Sequence, residues 1–132
     1  MAVIEFHLDS RSGVPAYLQL VQQVRQAIRL GMLRPGDQLP TVKEVVTSLT
    51  LNPNTVLHAY RQLDLEGLVE GRQGVGTFVA ADGAPPPPDG LRSLRSSLDR
   101  WVTRARSAGL DEESMAALFA ESMRPDSVSR VA

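Results

Sequence analysis

The chain has 132 residues, 42% of them hydrophobic, with a formal net charge of −1 and no cysteine. That length holds one domain, or one small domain with an appendage, and the missing cysteines exclude disulfides, thiolate metal sites and a cysteine nucleophile. There is neither a long apolar run nor a charged-then-apolar leader, so no membrane span and no export signal are expected, and a cytoplasmic location is.

Residues 3–8 are rich in β-formers and predict an arm or a short edge strand. Pro15 suits the first turn of a helix, where its missing N–H costs nothing. From Tyr17 onward, Leu20, Val21, Val24, Ala27 and Ile28 recur at helical spacing, and Gly31 fits the closing cap. Leu33-Arg34-Pro35-Gly36-Asp37 is turn chemistry. Thr41 and Glu44 form a T-x-x-E capping box that opens a short helix, with Val42, Val45, Val46 and Leu49 turned inward. Asn52 is a strong N-cap residue with Pro53 behind it, and the helix they open runs to Gly67. Its apolar face takes Val56, Leu57, Tyr60 and Leu63, with Leu68 beyond. Leu68-Val69-Glu70 and Thr77-Phe78-Val79 alternate as strands around a Gly74-Val75-Gly76 tip.

Composition changes at Asp82. Four consecutive prolines, Pro85 to Pro88, predict a semi-rigid linker of roughly 3 Å per residue. Beyond it Leu91, Leu94, Leu98, Trp101 and Ala105 alternate at three and four residues, with Val102 alongside, as in a helix that wants a partner helix. Gly109 ends that helix. Asp111 caps the next one, with Glu112 and Glu113 in its first turn. Met115, Leu118, Phe119 and Ser122 mark its expected buried side, Pro125 closes it, and the tail after Asp126 is expected to be disordered.

The predicted fold class is mainly α with a small β-hairpin (α+β). Residues 1–81 form a winged helix-turn-helix, 82–90 a Pro-rich linker and 91–132 a short C-terminal helical dimerisation segment. Two short helices cannot bury enough apolar area alone. A homodimer joined through Leu91, Leu94, Leu98, Trp101, Val102, Leu118 and Phe119 is therefore expected.

Two helices meeting at a tight turn, followed by a hairpin, are how small proteins set one helix in a DNA groove and a loop beside it. Bulk charge gives no help: residues 1–80 carry seven basic and seven acidic side chains. DNA binding then rests on local arrangement. Asn54, in the first turn of the second helix, is the leading base-reading candidate, since an amide pairs bidentately with adenine. Asn52 has a structural reason to exist as a cap, and Thr55 serves either as a cap or as a phosphate donor. Lys43 lies at the start of the first helix. His58 projects one turn further along the second, where a polar surface role competes with contact. Arg61 either holds phosphate or pairs with Asp64 or Glu66. Tyr60 is expected to be half in the core, with its hydroxyl reaching solvent or phosphate. In the wing, Arg72 and Gln73 suit phosphate contact, and Gly74 suits the turn.

A protein-interaction module on the same scaffold is the competing reading. An enzyme is not expected, because no nucleophile has a positioned base. No cofactor or metal is expected either: Asp111, Glu112 and Glu113 form a helix-start pattern. The two-helix tail has little volume for a small-molecule pocket, so an effector would sit between protomers near Trp101, or none exists.

Taken in order, Leu39-Pro40-Thr41-Val42-Lys43-Glu44, Asn52-Pro53-Asn54-Thr55-Val56 with Ala59-Tyr60, Leu65-Glu66-Gly67-Leu68-Val69 and Gln73-Gly74-Val75-Gly76-Thr77-Phe78-Val79 resemble the GntR family of bacterial transcription regulators, most of all its YtrA subgroup. The resemblance spans residues 14–80. It implies a dimeric repressor on a palindromic double-stranded DNA operator, with inverted half-sites roughly 10 bp apart or a multiple of that. By position it implies DNA contact at Thr41 and Lys43, at Asn52, Asn54, Thr55 and His58, and at Arg72, Gln73 and Gly74. The chain departs from the family pattern at three places. Thr41 replaces the usual serine or alanine, Lys43 the usual arginine, and Val75 a frequent arginine or lysine.

Overall fold

The computed structural model describes residues 4–83 and 86–125. Its elements are α1 (Ala16–Arg29), α2 (Val42–Leu49), α3 (Pro53–Leu65), β1 (Val69–Arg72), β2 (Gly76–Val79), α4 (Leu91–Ser107) and α5 (Glu112–Ser122). The chain divides into two compact units between Pro88 and Asp89. The α+β class and the winged-helix order of elements agree with the expectation.

In the first unit, apolar residues at helical spacing decide the packing. Leu20, Val21 and Val24 of α1, Val45 of α2 and Val56, Ala59 and Leu63 of α3 are all essentially solvent-free. Leu33, Leu39, Val69 and Val79 complete the same cluster from the flanking segments. Local chemistry fixes where the helices begin and end. Pro15 is the N-cap of α1 rather than its first residue. Gly31, at φ 71°, lets the Met32 N–H reach back to the Ala27 carbonyl at 2.8 Å, which closes α1. α3 ends the same way, with the Leu68 N–H on the Leu63 carbonyl at 3.1 Å. The capping box of α2 is formed: the Glu44 N–H donates to Thr41 Oγ1 at 3.1 Å, and the Thr41 N–H donates to the Glu44 carboxylate at 3.3 Å.

Between α2 and α3 the chain turns through Thr50, which adopts the left-handed conformation at φ 53° and ψ 49°. A β-branched residue is poorly suited to that region, so this turn is strained. The N-terminal arm forms no strand. Phe6 enters the core, and two amide side chains of α1 hold the arm's backbone instead. The Asp9 N–H donates to Gln19 Oε1 at 2.8 Å and the His7 N–H to Gln23 Oε1 at 3.0 Å. Residue 3 of the expected arm lies outside the described residues.

The hairpin is larger than the two strands suggested by alternation. β1 and β2 pair antiparallel, with Val69 opposite Val79 and Arg72 opposite Gly76. The segment leading into α2 straps the outer edge of β2. The Leu39 N–H donates to the Thr77 carbonyl and the Val79 N–H to the Asp37 carbonyl, both at 2.8 Å. The wing is thereby tied by backbone to the start of the helix-turn-helix.

The second unit is sparsely buried. Met115 is its one buried hydrophobic residue among those described. Asp111 caps α5 by accepting the Ser114 N–H at 2.8 Å, and these hydrogen bonds hold its carboxyl below the usual range. Ser122, Leu118 and Phe119 are exposed, contrary to the expected buried side of α5, because neither helix of this unit covers them. The expected linker at 82–90 lies partly, and the tail after Asp126 wholly, outside the described residues.

Candidate nucleic-acid interface

The residues expected to contact DNA fall on three surfaces: the start of α2, the outer side of α3 and the wing tip. Thr41 and residues 71–77 of the wing line one shallow groove, so the first and third surfaces adjoin. Lys43 is exposed near the start of α2. Among the described residues it makes no ion pair, which leaves its charge available.

α3 is built to leave its outer side free. Asn52 spends its carboxamide oxygen on the Asn54 N–H at 2.8 Å, so its capping role is realised. Thr55 is half-buried, and its N–H goes to the Asn52 carbonyl at 3.0 Å. Asn54 and Arg61 are exposed, with no side-chain hydrogen bond among the described residues. Arg61 does not take either acidic neighbour proposed for it. Glu66 is held from α1 by Arg25, at 2.8 Å to each carboxylate oxygen, and by Gln62 at 3.0 Å. Those bonds, the Gln62 amide foremost, keep the Glu66 carboxyl below its ordinary pKa against the opposing effect of burial.

Two neighbours on α3 trade the roles expected of them. His58 is exposed but stacks on Tyr17 of α1, ring centroids 3.9 Å apart and planes at 15°. Part of its surface is thus committed within the protein. Leu57, expected in the core, is instead 42% exposed. The core positions 56, 59, 60 and 63 already span the inner arc, and residue 57 lies about 100° beyond residue 56 around the helix. That angle was the available signal for Leu57. Tyr60 also departs from expectation: its hydroxyl points inward and donates to the buried Pro40 carbonyl. Burial, with Glu44 nearby, pushes its pKa up, so the phenol stays neutral and does not reach solvent or phosphate.

In the wing, Arg72 lies 4.4 Å over the Phe78 ring and pairs with Glu70 at 3.3 Å, both side chains half-exposed. Its guanidinium is positioned on the stem of the hairpin. Gln73 is exposed, and Gly74, at φ 76°, makes the turn in which the Val75 N–H meets the Arg72 carbonyl at 2.9 Å. Val75 stands 62% exposed at the tip. Gln38, which sequence reasoning passed over, steadies this tip by donating to the Val75 carbonyl at 3.3 Å. Gly76 adopts φ 144°, a conformation that favours glycine, and a side chain there would also displace the Gln38 amide.

Known proteins share this fold. The profile of "Bacterial regulatory proteins, gntR family" matches residues 16–79. The HTH-type transcriptional repressor YtrA of Bacillus subtilis (strain 168) is 34% identical over 109 residues, covering 82% of this chain and 84% of that protein. The solved structure of YtrA from Sulfolobus acidocaldarius, a GntR-family transcription factor, aligns with a TM-score of 0.53 at 30% identity, over 74% of this chain and 97% of that one. The DNA-binding domain of AraR in complex with operator ORX1 aligns at a TM-score of 0.51 and 28% identity, over 58% and 96% of the two chains.

Proposed function

Since this chain belongs to the GntR family of bacterial regulatory proteins, DNA-binding transcription regulators and not enzymes, we propose that it is a repressor acting on a palindromic operator as a homodimer. The observation that carries this is the outer side of α3. Its side chains are exposed and spend little on the fold, beside a free Lys43 and a wing fixed by backbone bonds. In this reading α3 enters the major groove, with Asn54 at a base edge. Lys43 and Arg61 meet phosphates, and Thr41, Gln73, Gly74 and the Arg72 backbone border the adjoining groove. Asn52 and Thr55 set the helix start, and His58 orients against Tyr17. One neighbouring structure holds operator DNA, and the named relatives are transcriptional regulators, which favours DNA over a protein partner.

The second unit supplies the symmetry. α4 exposes Leu94 and Leu98 in one seam, α5 exposes Leu118 and Phe119, and Leu91, Trp101 and Val102 are half-buried beside them. Charge supports self-association as well. α4 carries Arg92, Arg95, Arg100, Arg104 and Arg106 against one acid, Asp99, whereas α5 and its cap carry Asp111, Glu112, Glu113 and Glu121 with no base. A second copy offers each helix a partner of opposite charge. No helix among the described residues is long and apolar enough to cross a membrane, and the reading places the protein in the cytoplasm with the chromosome.

The test is fluorescence anisotropy on the DNA upstream of the protein's own gene, from about 50 to 300 mM salt, against a scrambled duplex. Tight binding that resists the competitor, with two protomers per duplex, is expected. Lys43→Ala should weaken all sequences alike, and Asn54→Ala should erode the preference. Equal, weak binding to both duplexes overturns the reading.

A further inference from the structure

We propose that Leu57 is a specificity residue that reads the C5-methyl group of a thymine in each operator half-site. The inference rests on the DNA-binding reading above and adds a residue and a base that it does not contain. Leu57 is 42% exposed although four neighbouring positions of α3, Val56, Ala59, Tyr60 and Leu63, are buried. The core is therefore closed without it. It lies on the outer side of α3, one turn after Asn54 and one turn before Arg61, two polar residues whose side chains are unengaged among the described residues. The next residue, His58, is turned onto Tyr17 and does not share that freedom.

A leucine at such a position gains nothing from water. If α3 lies in the major groove, the edges it meets are hydrogen-bonding groups with one apolar exception, the methyl of thymine. Cytosine offers a hydrogen at the same ring position and an amino donor beside it, which leucine cannot satisfy. Thymine likewise keeps its O4 acceptor beside the methyl, so the preference for thymine over cytosine rests on the methyl contact alone. Asn54, one turn earlier, would read a neighbouring base by hydrogen bonds, so polar and apolar readout alternate along one helix side.

The methyl group can be removed without touching the protein. An operator is first selected from a random duplex pool with the intact chain. Each thymine of a half-site is then replaced in turn by deoxyuridine, which pairs identically and lacks only the methyl. One position is expected to lose about fourfold in affinity per half-site, the weight of one buried methyl group. Leu57→Ala should bind the unmodified operator as weakly as the wild type binds the deoxyuridine duplex, and should be indifferent to the replacement. If no thymine responds, or none occurs in the half-site, the proposal is overturned while DNA binding stands. If Leu57→Ala keeps the full methyl dependence, another side chain reads the base and the proposal is likewise overturned. If no operator emerges from the selection, the DNA-binding reading itself fails and this inference falls with it.

Discussion

Leu20, Val21, Val24, Val56 and Leu63 of the first unit are 0% exposed, whereas α4 and α5 leave Leu94 65%, Leu98 45%, Leu118 47% and Phe119 48% exposed. Both regions carry leucines at helical spacing, so the same pattern serves two ends. In the first unit three helices and a strapped hairpin close over their apolar residues, which become a core. In the second, two helices leave a seam open, which is what a surface awaiting another surface looks like. Apolar periodicity announces that a face will be covered. It does not say whether the cover comes from the same chain.

The sharpest way to break that contrast is to delete one leucine from each region. Leu63→Ala should cost about 3 kcal/mol of stability in urea unfolding, as a closed core cannot fill the cavity. Leu94→Ala should shift the unfolding of the first unit by less than about 0.5 kcal/mol. Equal losses would mean that both leucines lie in one core. The seam has its own test. A charge at its centre, Leu98→Asp, should raise the dissociation constant of the proposed dimer about thirtyfold, or about 2 kcal/mol, in sedimentation equilibrium. The transition of the first unit should stay in place. A variant as dimeric as the wild type would move the interface elsewhere.

Smaller changes sharpen the picture inside the first unit. Thr50→Gly should stabilise it by about 0.5–1 kcal/mol, because glycine accepts the left-handed turn that threonine resists, less the entropy glycine loses on folding. Loss of stability would show that the threonine side chain contributes something beyond the strain it bears. Least of all, Glu66→Gln should cost about 0.5 kcal/mol at neutral pH, since the Arg25 pair is partly open to solvent. The Glu66 carboxyl is depressed in the fold, so its contribution is present above the ordinary value of 4.5 and fades as the pH falls through the folded value. The two proteins should converge in chemical unfolding once the pH lies below the folded value. A gap that persists there would assign the effect to packing.

Most of the first unit was legible because its signals are local. The Thr41–Glu44 box, Asn52 with Pro53, and the glycines closing α1 and α3 each act within one helical turn. The misreadings share the opposite trait. Whether Leu57 or its neighbours face inward is decided by where α1 and α2 pack. His58 meets Tyr17 from another helix, and the Tyr60 hydroxyl finds a carbonyl before α2. The burial expected of Leu118 and Phe119 is not met because neither α4 nor α5 covers them. Of the residues proposed for the site, Asn52 works as a cap and Arg72 is engaged within the wing, partnerships set by the local fold.

The strap joining residues 36–39 to β2 has a consequence for the time course of folding. Its bonds connect segments separated by the whole of α2 and α3, so they can form only after that intervening chain has collapsed. The turns of each helix and the α2–α3 packing, which join residues closer in sequence, should assemble in the rate-limiting step, and the wing should close afterwards. Substitutions in Thr77 or Gln38 are then expected to speed unfolding while leaving the refolding rate nearly unchanged. The hairpin would be the last part of the protein to lock and the first to release.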